Sequence, residues 1–520
     1  MGLSFRGALA ASACALSLVA LASGSARAES LADAVADAYQ TSPSLQQQRA
    51  QLRITDEGYV QARAGYRPQA SGQVSATWRW SHLGKANCGL INPIPGCDLT
   101  PETNSGQALL SLDQPLYTGG RTSARVRSAE AAVLAGREDL RRVENTVMLS
   151  VVQAYVNVRR DEQALDIRRE NVAVLQRQVD EVRARFDVGE VTRTDVAQSE
   201  AQLAAAQSAF AGAQAQLAIS RAAYATVVGH SPARLDPEPP FNMFPDTVEQ
   251  AFATAERNSP SIRGADYAEQ SADAQVAEAK AQRLPTINAQ ANYSTAQPIH
   301  PWQTNLFDRE LTAGVVLNQP IFSGGQVSSQ IRESQERRNI ARIDLEQSRR
   351  TVTEDISRAW DNLLASRAAI EAGQEQVRAA RIAFEGTRAE QQVGLRTTLE
   401  VLSAQQVLRD AQLSLINARH DEYLASAGLL QTMGLLEARN LVPNIDQLPG
   451  SHAIGQLHHA MGYVPWEDGV AALDSVTTSR HATTLPPPLD APIATSALPA
   501  AAAPAGPGAS PEAAPSPRTP

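Results

Sequence analysis

The stretch Leu112-Asp113-Gln114-Pro115-Leu116-Tyr117-Thr118-Gly119-Gly120 occurs a second time, as Leu317-Asn318-Gln319-Pro320-Ile321-Phe322-Ser323-Gly324-Gly325. In both places an alternation of period two stops and a long pattern of helical period begins. Proline lacks the N–H that a sheet ladder needs, so Pro115 and Pro320 are expected to end their strands. The pairs Gly119-Gly120 and Gly324-Gly325 let the backbone turn through dihedrals that a side chain forbids. Each copy therefore reads as a strand-to-helix junction.

Working outward, the two copies sit in matching surroundings. Leu31-Ala32-Asp33-Ala34 aligns with Val248-Glu249-Gln250-Ala251, Ser42-Pro43-Ser44 with Ser259-Pro260-Ser261, and Arg67-Pro68 with Leu284-Pro285. Beyond the junctions, Val188-Gly189 aligns with Val393-Gly394, Asp195-Val196 with Glu400-Val401, and Gly229 with Gly434. The register changes only between the Arg67-Pro68 level and the junction, where the first copy carries extra residues. The chain thus reads as a duplication: a first repeat over 29–229, a linker over 230–246 and a second repeat over 247–440.

Each repeat opens with an Ala/Gln-rich helix, from about Ser30 to Gly65 in the first, and then alternates strictly. Ala70, Gly72, Val74, Ala76, Trp78 and Trp80 lie on one face, opposite Ser71, Gln73, Ser75, Thr77 and Arg79. On the returning segment Ala108, Leu110 and Leu112 oppose Gln107, Ser111 and Asp113. In the second repeat Ile287, Ala289, Ala291 and Tyr293 oppose Asn288, Gln290 and Asn292, and Leu311, Ala313, Val315 and Leu317 oppose Thr312, Gly314 and Asn318. A half-buried soluble sheet alternates in the same way. Strands of about 9–11 residues are nevertheless the length that crosses a bilayer when tilted. Four strands cannot close a membrane barrel, so membrane placement requires several copies: a trimer gives twelve strands, a dimer eight. Trp78, Trp80, Tyr293 and Trp302 are candidates for an interfacial aromatic girdle, with ordinary sheet packing as the rival.

From Gly120 to Val188 there is no proline and the apolar spacing is continuous, a helix of about 100 Å. Gln326 to Gln392 repeats it, and a shorter helix returns from Thr194 to Val228. Such lengths suit coiled coils.

The ends and the composition bound the rest. Residues 1–28 read as a secretory signal: Arg6, an apolar stretch from Ala8 to Ala22, and Ala26-Arg27-Ala28 as cleavage site. Cys14 does not make a lipoprotein signal, because the apolar stretch continues past it. The mature chain keeps Cys88 and Cys97, a pair expected to close a small disulfide loop. Residues 441–520 read as a tail, Pro/Ala-rich and disordered from about Leu485. A net charge of −9, with no basic run, disfavours nucleic acid as a partner. The eight histidines show no metal-ligand spacing, and no phosphate loop or nucleophile elbow appears. No metal, cofactor or enzymatic activity is expected.

The junction motifs, the Val-Gly turns and the duplication resemble the TolC family of outer-membrane channels of efflux pumps and type I secretion systems, over about Leu31 to Leu436. The resemblance implies a mainly α fold with a small transmembrane β-barrel: four strands and long coiled-coil helices per chain, assembled as a homotrimeric barrel with an α-helical tunnel in the periplasm. It implies outer-membrane lipid, an inner-membrane transporter of ABC or RND type and a periplasmic adaptor as partners. Two rival readings are a periplasmic coiled-coil adaptor without membrane strands and a structural surface protein.

In the family, the turns between paired helices form the periplasmic mouth. Locally, Gly189 and Gly394 suit left-handed helix ends, and Thr192, Thr194 and Thr397 are candidates to cap the next helix, with Asp195 and Glu400 favoured by its dipole. By resemblance, Thr194 and Asp195 match a first-turn pair, Arg396 the arginine that bonds to it, and Glu400 a carboxylate lining the constriction. Gln391 stands where a gating tyrosine is found, and Ser403 replaces a second carboxylate. The expectation is an Arg396–Asp195 latch and a mouth with cation preference.

Overall fold

The computed structural model describes residues 28–80, 102–241, 243–298, 308–442, 445, 454–457, 462 and 464–476. Most of the signal segment, Cys88, Cys97, Trp302 and the Pro/Ala-rich end lie outside the described residues.

The two repeats build the same series of elements. The first contains α1 (Leu31–Thr41), α2 (Pro43–Arg63), β1 (Gln69–Trp80), β2 (Glu102–Tyr117), α3 (Arg121–Asp187) and α4 (Arg193–Val228). The second contains α5 (Val248–Asn258), α6 (Pro260–Ala281), β3 (Thr286–Pro298), β4 (Asp308–Asn318), α7 (Gln326–Gln392) and α8 (Thr398–Thr432). Three short helices follow: α9 (Ala438–Leu441), α10 (Ile454–Leu457) and α11 (Glu467–Ser475).

The opening helix of each repeat is not continuous, as the spacing suggested, but broken in two. Ser42 and Ser259 adopt ψ of 120°, and Pro43 and Pro260 start the next helix. The residue before a proline is pushed out of the helical region, which breaks the helix there.

The four strands form one antiparallel sheet in the order β1-β2-β3-β4. Residues directly opposite share a face. Leu112 lies across from Ala70 and Ala291, Leu110 across from Gly72 and Tyr293, and Tyr293 across from Leu311. The apolar sets expected from alternation therefore merge into one continuous face over all four strands. No described helix is long and apolar enough to cross a membrane, which leaves the sheet aside.

Pro320 lies two residues past Asn318, the last residue of β4, as expected, but Pro115 does not end β2. The strand runs on to Tyr117 against β3, with a register shift between Pro115 and Tyr117. Pairing with β1 has already stopped at Asp113, so proline sits at a bulge beside a finished ladder, where its missing N–H does little harm. Both junctions use their glutamine alike. Gln114 Nε2 donates to the carbonyls of Tyr66 (2.9 Å) and Pro115 (2.6 Å), and Gln319 Nε2 to those of Arg283 (3.1 Å) and Pro320 (3.0 Å). All four junction glycines have φ between 61° and 85°, which explains the residue type.

The main core lies at mid-length of α3, where Met148, Val151, Val152 and Tyr155 meet Val35 and Ala38 of α1, Tyr224 of α4 and Leu429 and Leu430 of α8. Tyr155 Oη donates to the carbonyls of Glu29 (3.0 Å) and Asp236 (2.7 Å), tying the start of the first repeat to the linker.

The stretch from 441 onward is not featureless, because α11 docks on the first junction. Asp474 is fully buried and accepts from the backbone N–H of Thr118 (2.7 Å), Gly120 (2.9 Å) and Ser123 (3.1 Å). Glu467 takes Arg63 at 2.6 Å and Arg67 at 2.9 Å. The sequence shows only a short, weakly periodic segment here; what orders it is charge pairing with groups far away in the chain.

Candidate functional site: the helix-hairpin tips

The tips are the turns α3–α4 and α7–α8, and both are built on one local plan. Gly189 (φ 79°) and Gly394 (φ 83°) take the left-handed turn that closes each long helix. The N–H of Gly189 reaches Phe186 O and that of Glu190 reaches Arg185 O, both at 2.9 Å. In the second turn Gly394 N reaches Gln391 O at 3.0 Å and Leu395 N reaches Glu390 O at 2.9 Å.

The next helix starts with a capping box. Thr192 and Thr397 are extended (ψ 160° and 157°), the N-cap conformation. The Thr192 N–H donates to Asp195 Oδ2 at 2.9 Å and the Thr397 N–H to Glu400 Oε2 at 2.8 Å. The reverse bonds, Asp195 N to Thr192 Oγ1 and Glu400 N to Thr397 Oγ1, are both 3.3 Å. Thr194, an expected cap candidate, is not used: it lies one residue inside α4 and points to solvent. The Thr192 hydroxyl and N–H hold Asp195 below its ordinary pKa. The Thr397 N–H, then Arg396, do the same for Glu400. Both tips therefore present fixed carboxylates at neutral pH.

Within the chain Arg396 does not reach Asp195. Its Nε donates to Glu390 Oε2 at 2.8 Å and its Nη1 to Glu400 Oε1 at 2.9 Å, and the three form a triad on the exposed second turn. Arg396 is drawn to the two carboxylates of its own turn, one of them across the α8 N-terminus. Ser403 is exposed, whereas Gln391 is only 3% exposed and its Nε2 finds no acceptor among the described residues.

Two links that the sequence did not disclose bind the tips together. Arg183 of α3 pairs with Glu200 of α4, closing the first hairpin. Gln405 Nε2 of α8 donates to Asn171 Oδ1 of α3 at 3.0 Å in a buried site, beside an apolar cluster of Leu175, Ala206 and Leu402. The two hairpins of one chain thus lie against each other through α3, α4 and α8. An amide interrupting the apolar spacing at Asn171 was the available signal, but its partner lies in the other repeat. Beyond this, Val188, Val393 and Leu395 stand exposed at the turns, and among the described residues no cluster of acids, histidines or cysteines could hold a metal.

Comparison with known proteins agrees with this geometry. The family model described as outer membrane efflux protein matches residues 34–230 and 252–435, one match per repeat. The outer membrane efflux protein BepC of Brucella suis is 36% identical, over 83% of this chain and 91% of that one. The outer membrane protein TolC of Escherichia coli is 26% identical, over 80% and 84%. Among solved structures, the outer membrane protein VceC of Vibrio cholerae superimposes with a TM-score of 0.65 at 21% identity, covering 78% of this chain and 96% of that one. CusC does so with a TM-score of 0.67 at 20% identity, covering 78% and 91%. Fold and family are those of channels. The duplicated chain, with its shared apolar sheet face and its long helix hairpins, belongs to the outer membrane efflux protein family.

Proposed function

We propose that three copies of this chain form a passive export duct, a twelve-stranded barrel continued by a helical tunnel and gated at the hairpin tips. The observation that carries the assembly is an unfinished repetition. Inside the chain, β2 of the first repeat pairs with β3 of the second. The equivalent partner for β4 is a β1, and the chain's own β1 lies at the far edge of the sheet. Unpaired strand edges are not tolerated in a bilayer, so a second copy must supply the missing strand.

The duplication also supports one register for this pairing. Aligning Pro115 with Pro320 and Pro68 with Pro285 maps the pairing Leu112↔Ala291 onto Leu317↔Val74, the latter belonging to the next copy. One residue along, Val316 faces Ser75. In a chain whose Cys88 and Cys97 are replaced by Ser, the pair Ser75→Cys with Val316→Cys is expected to link into covalent trimers on oxidation. Cross-linking instead by the offset pair Ser75→Cys with Gly314→Cys would falsify the register, and isolated monomers in both would remove the ring.

In this assembly the apolar rows face lipid and the Ser, Gln and Asn rows face water. The tips form the mouth. Glu400 and Asp195 give it negative charge, and Arg396, held between Glu390 and Glu400, restrains the turn it sits on. In a closed ring this triad is positioned to meet Asp195 of an adjacent hairpin. Selectivity comes from charge at the mouth and from the docked pump, with no catalytic step in the duct. AprF, named for alkaline protease secretion, and OpmQ, named for pyoverdine export, are 25% and 24% identical to this chain. They frame the reading as the outer-membrane member of a tripartite exporter, with an ABC- or RND-type transporter and a periplasmic adaptor at the mouth. Arg396→Ser is expected to raise single-channel conductance in planar bilayers; an unchanged conductance would remove the triad from the gate.

A further inference from the structure

We propose that α11 is an interfacial anchor, seating the neck of the channel in the periplasmic leaflet of the outer membrane. The proposal rests on the reading of the sheet as a membrane wall and adds a lipid-contacting element outside both repeats. The helix is turned inside out relative to an ordinary surface helix. Two of its three acids point into the protein, Glu467 onto Arg63 and Arg67 and Asp474 onto the N–H groups that open α3, while Asp468 is exposed, 3.8 Å from Arg63 and away from the apolar stripe. About a quarter-turn away, Trp466, Val470 and Leu473 form an apolar stripe at i, i+4, i+7 spacing, extended by Val476. Trp466, Leu473 and Val476 are 51%, 53% and 79% exposed. A helix that buries ion pairs and displays its largest apolar side chains is built for an apolar cover.

Position identifies the cover. The two anchoring points are the end of α2 and the start of α3, the levels at which β1 begins and β2 ends, so α11 runs along the rim of the sheet. The Trp466 indole N–H donates to Gln114 Oε1 at 3.1 Å. Gln114 ends the β2 row that contains Ala108, Leu110 and Leu112, and lies across from Ala289 on β3. That is the apolar, lipid-facing side of the wall. A second copy joins at β1 and β4, whereas Gln114 belongs to an interior strand. The stripe therefore continues the lipid-facing rows into the headgroup layer, where tryptophan is the favoured side chain. The second junction has no such helix among the described residues, so each chain contributes one anchor.

The test uses the mature trimer in phospholipid bilayers that carry a nitroxide near either the headgroup end or the methyl end of the acyl chains. Subtracting the tryptophan fluorescence of Trp466→Phe isolates the Trp466 signal. The expected result is loss of that signal with the shallow quencher, and less loss with the deep one or with aqueous iodide. Leu473→Glu should abolish the shallow quenching while trimers persist on gels. Quenching by iodide alone places the stripe in water, and protection from all three places it under protein; either overturns the proposal. If Trp78 and Trp80 also escape the lipid quenchers, the barrel reading fails; if they alone are quenched, only the anchor fails. Should Trp466→Phe not assemble, an environment-sensitive fluorophore on Leu473→Cys, in the chain lacking Cys88 and Cys97, gives the same contrast.

Discussion

Helices α3 and α7 are both 67 residues long and grow from the same junction motif, yet α3 buries 22 of its residues and α7 only nine. The junctions differ in the same way. Leu116 and Tyr117 are half-buried, whereas their counterparts Ile321 and Phe322 are 95% and 89% exposed. A Cβ on Gly119 would come within 2.8 Å of Leu284, while one on Gly324 would meet nothing within 4 Å. Local sequence is not the cause, since it is shared. The first-repeat elements have neighbours on both sides, α2 and α6 for the helix and β1 and β3 for the strand; the second-repeat elements have one side bare. Within the chain the seam between the two repeats is closed, while the outer side of the second repeat is left open. The tips behave differently, with the same turn and the same capping box in both repeats, because a cap is satisfied within four residues and a seam is not.

The strongest way to break this comparison is to charge the open seam. Phe322→Asp, with Ile321→Asp, is expected to abolish heat-resistant trimers on gels, since each buried side chain of this size is worth about 1.5–3 kcal/mol per seam. The covering of the first junction is tested by Asp474→Ala, which strips an acceptor from three N–H groups at the start of α3. A loss of about 3 kcal/mol in local protection is expected, read as faster hydrogen exchange at Thr118, Gly120 and Ser123 with no matching change at Ser323 and Gly325.

Gly119→Ala and Gly324→Ala then separate backbone strain from packing. Both incur roughly 1–2 kcal/mol for a left-handed alanine. Gly119→Ala adds the collision with Leu284 in any state of the chain, whereas Gly324→Ala should show an added cost only after assembly. Equal thermal stabilities of the two variants before assembly would contradict the open-seam picture.

At the tips the expectation reverses to equality. Thr192→Ala and Thr397→Ala should each cost about 1 kcal/mol in the helix they start. Acid should act on both in one direction. Asp195 and Glu400 have pKa values lowered by their caps, so their contribution is present above the ordinary carboxylate pKa and is lost as pH falls through the lower folded value. Melting of α4 and α8 that began instead as pH rose would refute this assignment.

Much of this architecture was legible in the residues. Period-two alternation placed all four strands and their shared face, the unbroken helical spacing gave α3 and α7, and the glycine pairs gave the positive-φ junctions. Those features rest on neighbours in sequence. Two expectations differ from the structure where a distant group decides. Pro115 stays within β2 because β3 continues beside it after β1 has ended. The segment beyond 441 looked like a tail because its partners Arg63, Arg67 and the α3 N-terminus are hundreds of residues away.

By itself, then, the sequence determined the duplicated plan, the strand faces, the helix lengths and the chemistry of the caps, since periodicity and capping are short-range properties of the backbone. Only the tertiary structure decided which repeat is covered and which is bare, and how α11 is oriented. Each of these depends on burial and charge pairing between segments that meet only after the chain has folded.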